Sequence, residues 1–220
     1  LMLEEALSWE RIDVLMAGKG VILDPACGSG VFLVEAYKRL VLHWRSKNGW
    51  DRPGVDVLRR LVSRLHGIDL EEGAVELAAF SLCLSLCDAL EPEDIRASVK
   101  LFPRLDGETL HWSCFFKAKS EGLMKVPIAA IVGNPPFESS LSTDGAKQSY
   151  NTYAKGHGSL ADKQLAYLFV HDAMEMLQPG GILAMVEPAG FLYNQNTLSF
   201  RRSFFERWSV RELLDFVSVR

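Results

Sequence analysis

VILDPACGSGVFL, residues 21–33, is the stretch whose reading decides the fold. Residues 21–25 form an apolar run ending in an acid and a proline, which reads as a buried strand. Residues 27–30, CGSG, read as a turn into a helix beginning near Val31. Such a turn lets a ligand approach the backbone and offers it the free amides of a helix N-terminus. A dinucleotide fingerprint needs a third glycine at position 33, where this chain has Leu33. It also needs an acid about 20 residues further on, and the next acid at a strand end, Asp69, lies well beyond that. A ligand without a pyrophosphate therefore fits this turn better.

Outward from this turn, short apolar runs alternate with longer amphipathic segments, the pattern of a parallel α/β sheet. Helices are expected over 2–17, 55–65, 71–90, 161–177 and 197–208. Strands are expected over 66–70, 98–102, 126–133, 181–188 and 211–219. Residues 43–54 read as a polar excursion and 105–110, LDGETL, as a loop. The Gly-, Ser- and Thr-rich stretch 138–160 reads as a long loop, functional or mobile. The predicted architecture is a single doubly wound, mostly parallel α/β domain over 1–220, with ligands at the carboxyl ends of its strands.

The 220 residues suit one domain with a sizeable core. Apolar residues make up 48% and charged residues 24% of the chain, ordinary for a soluble globular protein. No apolar run approaches the roughly 20 residues of a membrane span. The acidic, polar N-terminal stretch is not a signal peptide. The 4 cysteines lack metal-ligand spacing and read as reduced thiols of a cytoplasmic protein, with no metal expected. A net charge of −4 gives no global basic footprint for nucleic acid.

The second decisive stretch is IVGNPPF, residues 131–137. Two prolines fix two φ angles and hold the Asn and its neighbouring carbonyls nearly rigid. Alone, this could be a strand stopping at a proline turn. Together, DPACGSGVFL, GIDLEEGAVELA, NPPF and LQPGGILAMVEPAGFL resemble the adenine-N6 DNA methyltransferases of restriction–modification systems. Their order resembles that of the class whose S-adenosylmethionine (AdoMet) motif precedes the catalytic motif. The resemblance runs from about residue 20 to residue 216. It implies a seven-stranded AdoMet-dependent methyltransferase sheet of Rossmann-like type and a target base flipped out of the duplex.

Carried over by resemblance, Asp24, Ala26, Gly28 and Gly30 form the turn around the methionine half of AdoMet. Asp69, with Leu70 beside it, matches the acid that accepts from both ribose hydroxyls; the alternative is an acid at the N-terminus of the next helix. DGETL resembles the family's GD(S/T)L and places Glu108 against the cofactor's adenine amino group, with Asp106 close enough to compete. Asn134, Pro135, Pro136 and Phe137 are the expected catalytic set. An adenine amine is a poor nucleophile because its lone pair is delocalised into the ring. Acceptors on Asn134 and on the Pro135 carbonyl, aimed at its two hydrogens, pull it toward tetrahedral geometry. Phe137 stacks on the extruded base.

Cys27 reads as a small packing residue. His157, Lys147, Lys155, Lys163, Tyr150 and Tyr153 form either a DNA-contacting cluster or a solvated loop. Arg201, Arg202 and Arg207 read as an exposed helix face. The family's upstream aromatic–Thr–Pro stretch and downstream target-recognition domain are not found. The chain is therefore expected to be a catalytic-core fragment or a natural truncation that binds DNA weakly by itself. Alternative acceptors are RNA adenine and protein glutamine. A non-catalytic interaction module and a nucleotide-linked oxidoreductase are the competing classes.

Overall fold

The computed structural model describes residues 2–97 and 102–216. In chain order it contains α1 (Met2–Ala6), α2 (Trp9–Ala17), β1 (Val21–Asp24), α3 (Val31–Lys47), α4 (Val55–Val62), β2 (Leu65–Asp69), α5 (Glu72–Asp88) and α6 (Pro92–Ala97). There follow β3 (Leu110–Trp112), α7 (Phe115–Ser120), β4 (Ile128–Gly133), α8 (Asp144–His157), α9 (Leu165–Met176), β5 (Leu177–Met185), α10 (Gly190–Tyr193) and α11 (Leu198–Arg207). The five strands are all parallel, in the order β3-β2-β1-β4-β5. This is the predicted doubly wound α/β fold.

Strand periodicity builds the core. On β1, Ile22 faces a cluster from α1 to α5 that includes Leu33, Tyr37, Leu40, Ala78 and Leu82. Its neighbours Val21 and Leu23 face the opposite cluster, from α7, α8, α9 and α11, with Phe115, Phe116, Leu168 and Phe200. A sheet buried on both faces needs continuous apolar strands, and all four residues of β1 are buried. Parallel pairing brings all five carboxyl ends to one edge of the sheet, where Asp24, Asp69, Trp112 and Gly133 end β1 to β4.

Several expectations are corrected. The helix expected over 2–17 breaks at Leu7 and Ser8, with Leu7 buried and Ser8 at the N-cap of α2. The polar excursion begins later than expected, because α3 continues to Lys47 and buries His43 against Asp13 and Trp9. The strand expected over 98–102 lies, but for Phe102, outside the described residues. The described third strand starts instead at the end of the expected loop, and three residues are too few for periodicity to reveal.

The long loop over 138–160 contains α8. Thr143 caps it, accepting from the Ala146 amide at 3.2 Å, and Gly158, at φ +81°, ends it. Only Ala146 and Tyr153 are buried on this helix, so its polar composition hid it. QPGG does not lie before β5 but inside it. The strand pairs Leu177 with Ile128, then Ile182 with Ala130, and the surplus residues bulge outward. Residues 209–216 form no strand, 217–220 lie outside the described residues, and the described sheet has five strands rather than seven.

Candidate active site

The turn after β1 shows why its glycines are where they are. Gly28 and Gly30 have φ of +51° and +84°, a region L side chains rarely adopt. Their surroundings differ. A Cβ on Gly30 would meet Ala78 Cα at 3.0 Å, so Gly30 serves close packing of the turn on α5. A Cβ on Gly28 would meet nothing within 4 Å, so Gly28 borders the open space a ligand could use.

Two acids hold this turn. Asp69 Oδ2 accepts from the Gly28 amide at 2.8 Å, and its Oδ1 accepts from the Glu71 amide at 3.0 Å. It therefore fixes both the glycine turn and the entry to α5, and a carboxylate still has lone pairs to offer. Asp24 is fully buried; its Oδ1 accepts from the Ala26 amide at 3.2 Å, and its Oδ2 is buried without a partner. Burial pushes the Asp24 pKa up to about 7, the Ala26 bond opposes this, and nearby Asp69 adds to the rise.

The Asn-Pro-Pro segment joins the same edge. A Cβ on Gly133 would lie 2.8 Å from Asp24 Oδ1, so only glycine lets the end of β4 approach this carboxyl. The next residue, Asn134, is exposed; Pro135 is buried, and Pro136 and Phe137 are exposed. The chain then returns to the body, where Leu165 donates to the Glu138 carbonyl at 2.8 Å and so joins the loop to the start of α9. The structure thus brings Asp24, Ala26, Gly28, Asp69, Leu70 and the Asn134–Phe137 segment to one edge.

Glu108 is not brought there. It is exposed in the turn that enters β3, about 10–13 Å of strand short of that strand's carboxyl end. Trp112 takes the end instead. It is 60% exposed, yet its indole N–H is held by the Leu70 carbonyl at 2.9 Å. A rigid, open aromatic face beside Asp69 is a flat wall that residue-pattern reading missed.

Cys27 is buried, and burial, with Asp24 and Asp69 adding, raises its thiol pKa far above the ordinary value. It is a packing residue against Gly67. The basic–aromatic cluster of 147–163 is not an irregular loop, because most of it lies on α8. Tyr153 is buried, stacks on His157 at 4.9 Å and meets His171 edge-on, while Lys147 pairs with Asp144. Arg201 is not on an open face, since it donates to the Phe191 and Leu192 carbonyls. His171, Asp172 and Glu175 are grouped closely enough to ligate a cation. The Lys119 ammonium already stands there, 2.9 Å from Asp172 and 2.7 Å from Glu175. Among the described residues no helix is long and apolar enough to cross a membrane.

The chain is 24% identical over 227 residues to the type II restriction enzyme and methyltransferase RM.Eco57I of Escherichia coli, covering 89% of this chain and 22% of that one. A shorter match, 39% over 67 residues, is to the adenine-specific methyltransferase PglX of Streptomyces coelicolor, covering 29% of this chain and 5% of that one. Among solved structures, the DrdV–DNA complex matches with a TM-score of 0.60 at 18% identity, over 91% of this chain and 22% of that one. The M protein of the type I enzyme EcoKI matches with a TM-score of 0.52 at 19% identity, over 89% and 37%. The chain thus spans about a fifth of RM.Eco57I. Residues 63–220, which include Asp69, the Asn-Pro-Pro-Phe segment and β5, match the Eco57I restriction-modification methylase family, and the chain belongs to that family.

Proposed function

We propose that this chain is an AdoMet-dependent catalytic domain that methylates the exocyclic amine of adenine in DNA. The observation that carries the reading is the placement of exposed Asn134 directly after Gly133, where a Cβ would meet the Asp24 carboxyl and Pro25, the residues that lead into the glycine turn. The donor set fits the cofactor's polar groups. Asp24 keeps an unpartnered Oδ2, Asp69 keeps free lone pairs, Gly28 faces open space, and Leu70 and Trp112 offer apolar surface. When bound, AdoMet supplies an electrophilic methyl on a sulfonium.

The chain's own residues do the rest. The Asn134 carboxamide oxygen and the Pro135 carbonyl accept from the two amine hydrogens and free the nitrogen lone pair. The prolines keep these acceptors from swinging away, so the alignment costs little entropy at reaction. Phe137 is 49% exposed and offers a face for an extruded base. No metal enters this chemistry. PglX is named adenine-specific, and DrdV is bound to DNA; both support this acceptor. A recognition domain elsewhere in a longer parent chain supplies the sequence readout, and the cell compartment is the cytoplasm.

The test is transfer of labelled methyl from AdoMet to DNA, RNA and glutamine-bearing peptide. Label in DNA adenine, abolished in Asn134→Ala, is the expected result. Label only in RNA or peptide overturns the DNA assignment while leaving the site intact.

A further inference from the structure

One buried carboxyl at this edge has no part in the scheme so far. Glu187 lies just past the end of β5. Met185 is in register with Gly133, and the Val186 amide donates to the Gly133 carbonyl at 3.0 Å. The Asn-Pro-Pro segment therefore leaves the sheet between two carboxyl-bearing strand ends, with Asp24 on the β1 side and Glu187 on the β5 side. Both Glu187 oxygens are closed off from solvent, and neither has a hydrogen-bond partner. Burying a carboxyl without a partner is costly. Gln164 Oε1, at the N-terminus of α9, is another unpartnered buried oxygen near the loop that carries Phe137.

We infer that Glu187 is the proton acceptor for the amine that Asn134 holds. The inference rests on the methyl-transfer reading but not on which amine is the acceptor. As the new nitrogen–carbon bond forms, the carbon–sulfur bond breaks and its electron pair stays on sulfur. The nitrogen is left cationic with one proton too many. That N–H bond then breaks, its pair returns to nitrogen, and the proton passes to a Glu187 carboxylate oxygen.

In the closed site Glu187 is the neutral acid, because burial pushes its pKa up to about 8. The titratable groups of the surrounding elements are Asp24 on β1, Glu138 after Phe137, Tyr167, His171, Asp172 and Glu175 on α9, and Tyr193 on α10. Burial is the one cause acting on Glu187. An entering acceptor must displace the cover over these oxygens. The same displacement removes the reason for the raised pKa, so the carboxyl loses its proton to solvent when a base is needed. The amine's proton replaces it.

The experiment is single-turnover methyl transfer with saturating AdoMet and subsaturating adenine oligonucleotide, so that the rate reports the ionisation of the unoccupied site, from pH 6 to 9.5, on wild type, Glu187→Gln and Glu187→Asp. Wild-type rate is expected to rise with pH and level off by about pH 8. Glu187→Gln, a shape match for the neutral acid, should be about 10²–10⁴-fold slower and lack that rise. At pH 6 it should keep its melting temperature and its calorimetric AdoMet affinity, and Glu187→Asp should recover part of the rate. A wild-type rate and profile in Glu187→Gln overturns the inference, as does loss of AdoMet affinity, which would make Glu187 a cofactor residue. If wild type methylates only a glutamine peptide, and Glu187→Gln loses that activity with the same profile, the inference stands and the adenine assignment falls. No transfer to any acceptor overturns both.

Discussion

At the scale of single residues, the two glycines of one turn separate packing from ligand access. Gly30→Ala places a Cβ on the Ala78 backbone at a positive φ, so its cost should fall on stability, about 1–3 kcal/mol in chemical denaturation. Gly28→Ala carries a similar backbone strain with no clash; its additional effect should be weaker AdoMet binding by calorimetry. Equal AdoMet affinity in Gly28→Ala and wild type would show that the open space is not the ligand's. Asn134→Ala removes one of two acceptors and should slow transfer about 10²–10³-fold, by analogy with removing one preorganised polar contact, without changing the melting temperature. Asp69 bears out its reading as the acid at the entry to α5 with one oxygen, while the other clamps the glycine turn.

At the scale of elements, legibility followed burial. β1, β2, β4, α5 and α9 were readable because each carries apolar residues at its own period, and the positions of Asp24, Asp69 and Asn134 at the sheet edge were readable because they end or directly follow such strands. Two failures have a common cause. α8 has one capping threonine and buries only two residues, and β3 is three residues long, so neither leaves a hydrophobic signature. Glu108 was misplaced because the true end of β3 was hidden, and Trp112 was missed for the same reason. Thr143→Ala should cost about 1 kcal/mol in thermal unfolding if its cap holds α8. The ion-pair group tying α7, α8 and α9 should matter more. Asp172 is buried and bound by Lys119, Ser149 and His171. Burial works to raise its pKa, but these partners outweigh it and leave the pKa lowered. Lys119→Met strands this carboxylate, and a loss of about 3–5 kcal/mol is expected.

At the scale of the whole molecule, the buried acids set opposite slopes of stability against pH. Asp172 has a lowered pKa, so its contribution is present above the ordinary carboxylate range and lost as pH falls through its folded value. Asp24 and Glu187 have pKa values raised to about 7 and about 8, so the folded state binds more protons than the unfolded chain between roughly pH 4 and 8. Stability should thus peak in mild acid and decline toward pH 8. Differential scanning calorimetry of wild type and Glu187→Gln checks this: the variant should decline less, and parallel curves would refute the assignment. A net charge of −4 also predicts weak DNA affinity with a shallow salt dependence; tight, sequence-selective methylation by these 220 residues would contradict it.

The bulge in β5 has a practical consequence. Between Leu177 and Ile182 the strand advances five positions while β4 advances two, from Ile128 to Ala130. The slack is taken up at exposed Pro179 and Gly180, at the opposite end of the strand from Glu187. Extra length introduced there has somewhere to go without tugging on the reacting edge. A fluorophore-bearing hexapeptide spliced between Pro179 and Gly180 should thus leave AdoMet affinity untouched, offering a handle for single-molecule tracking.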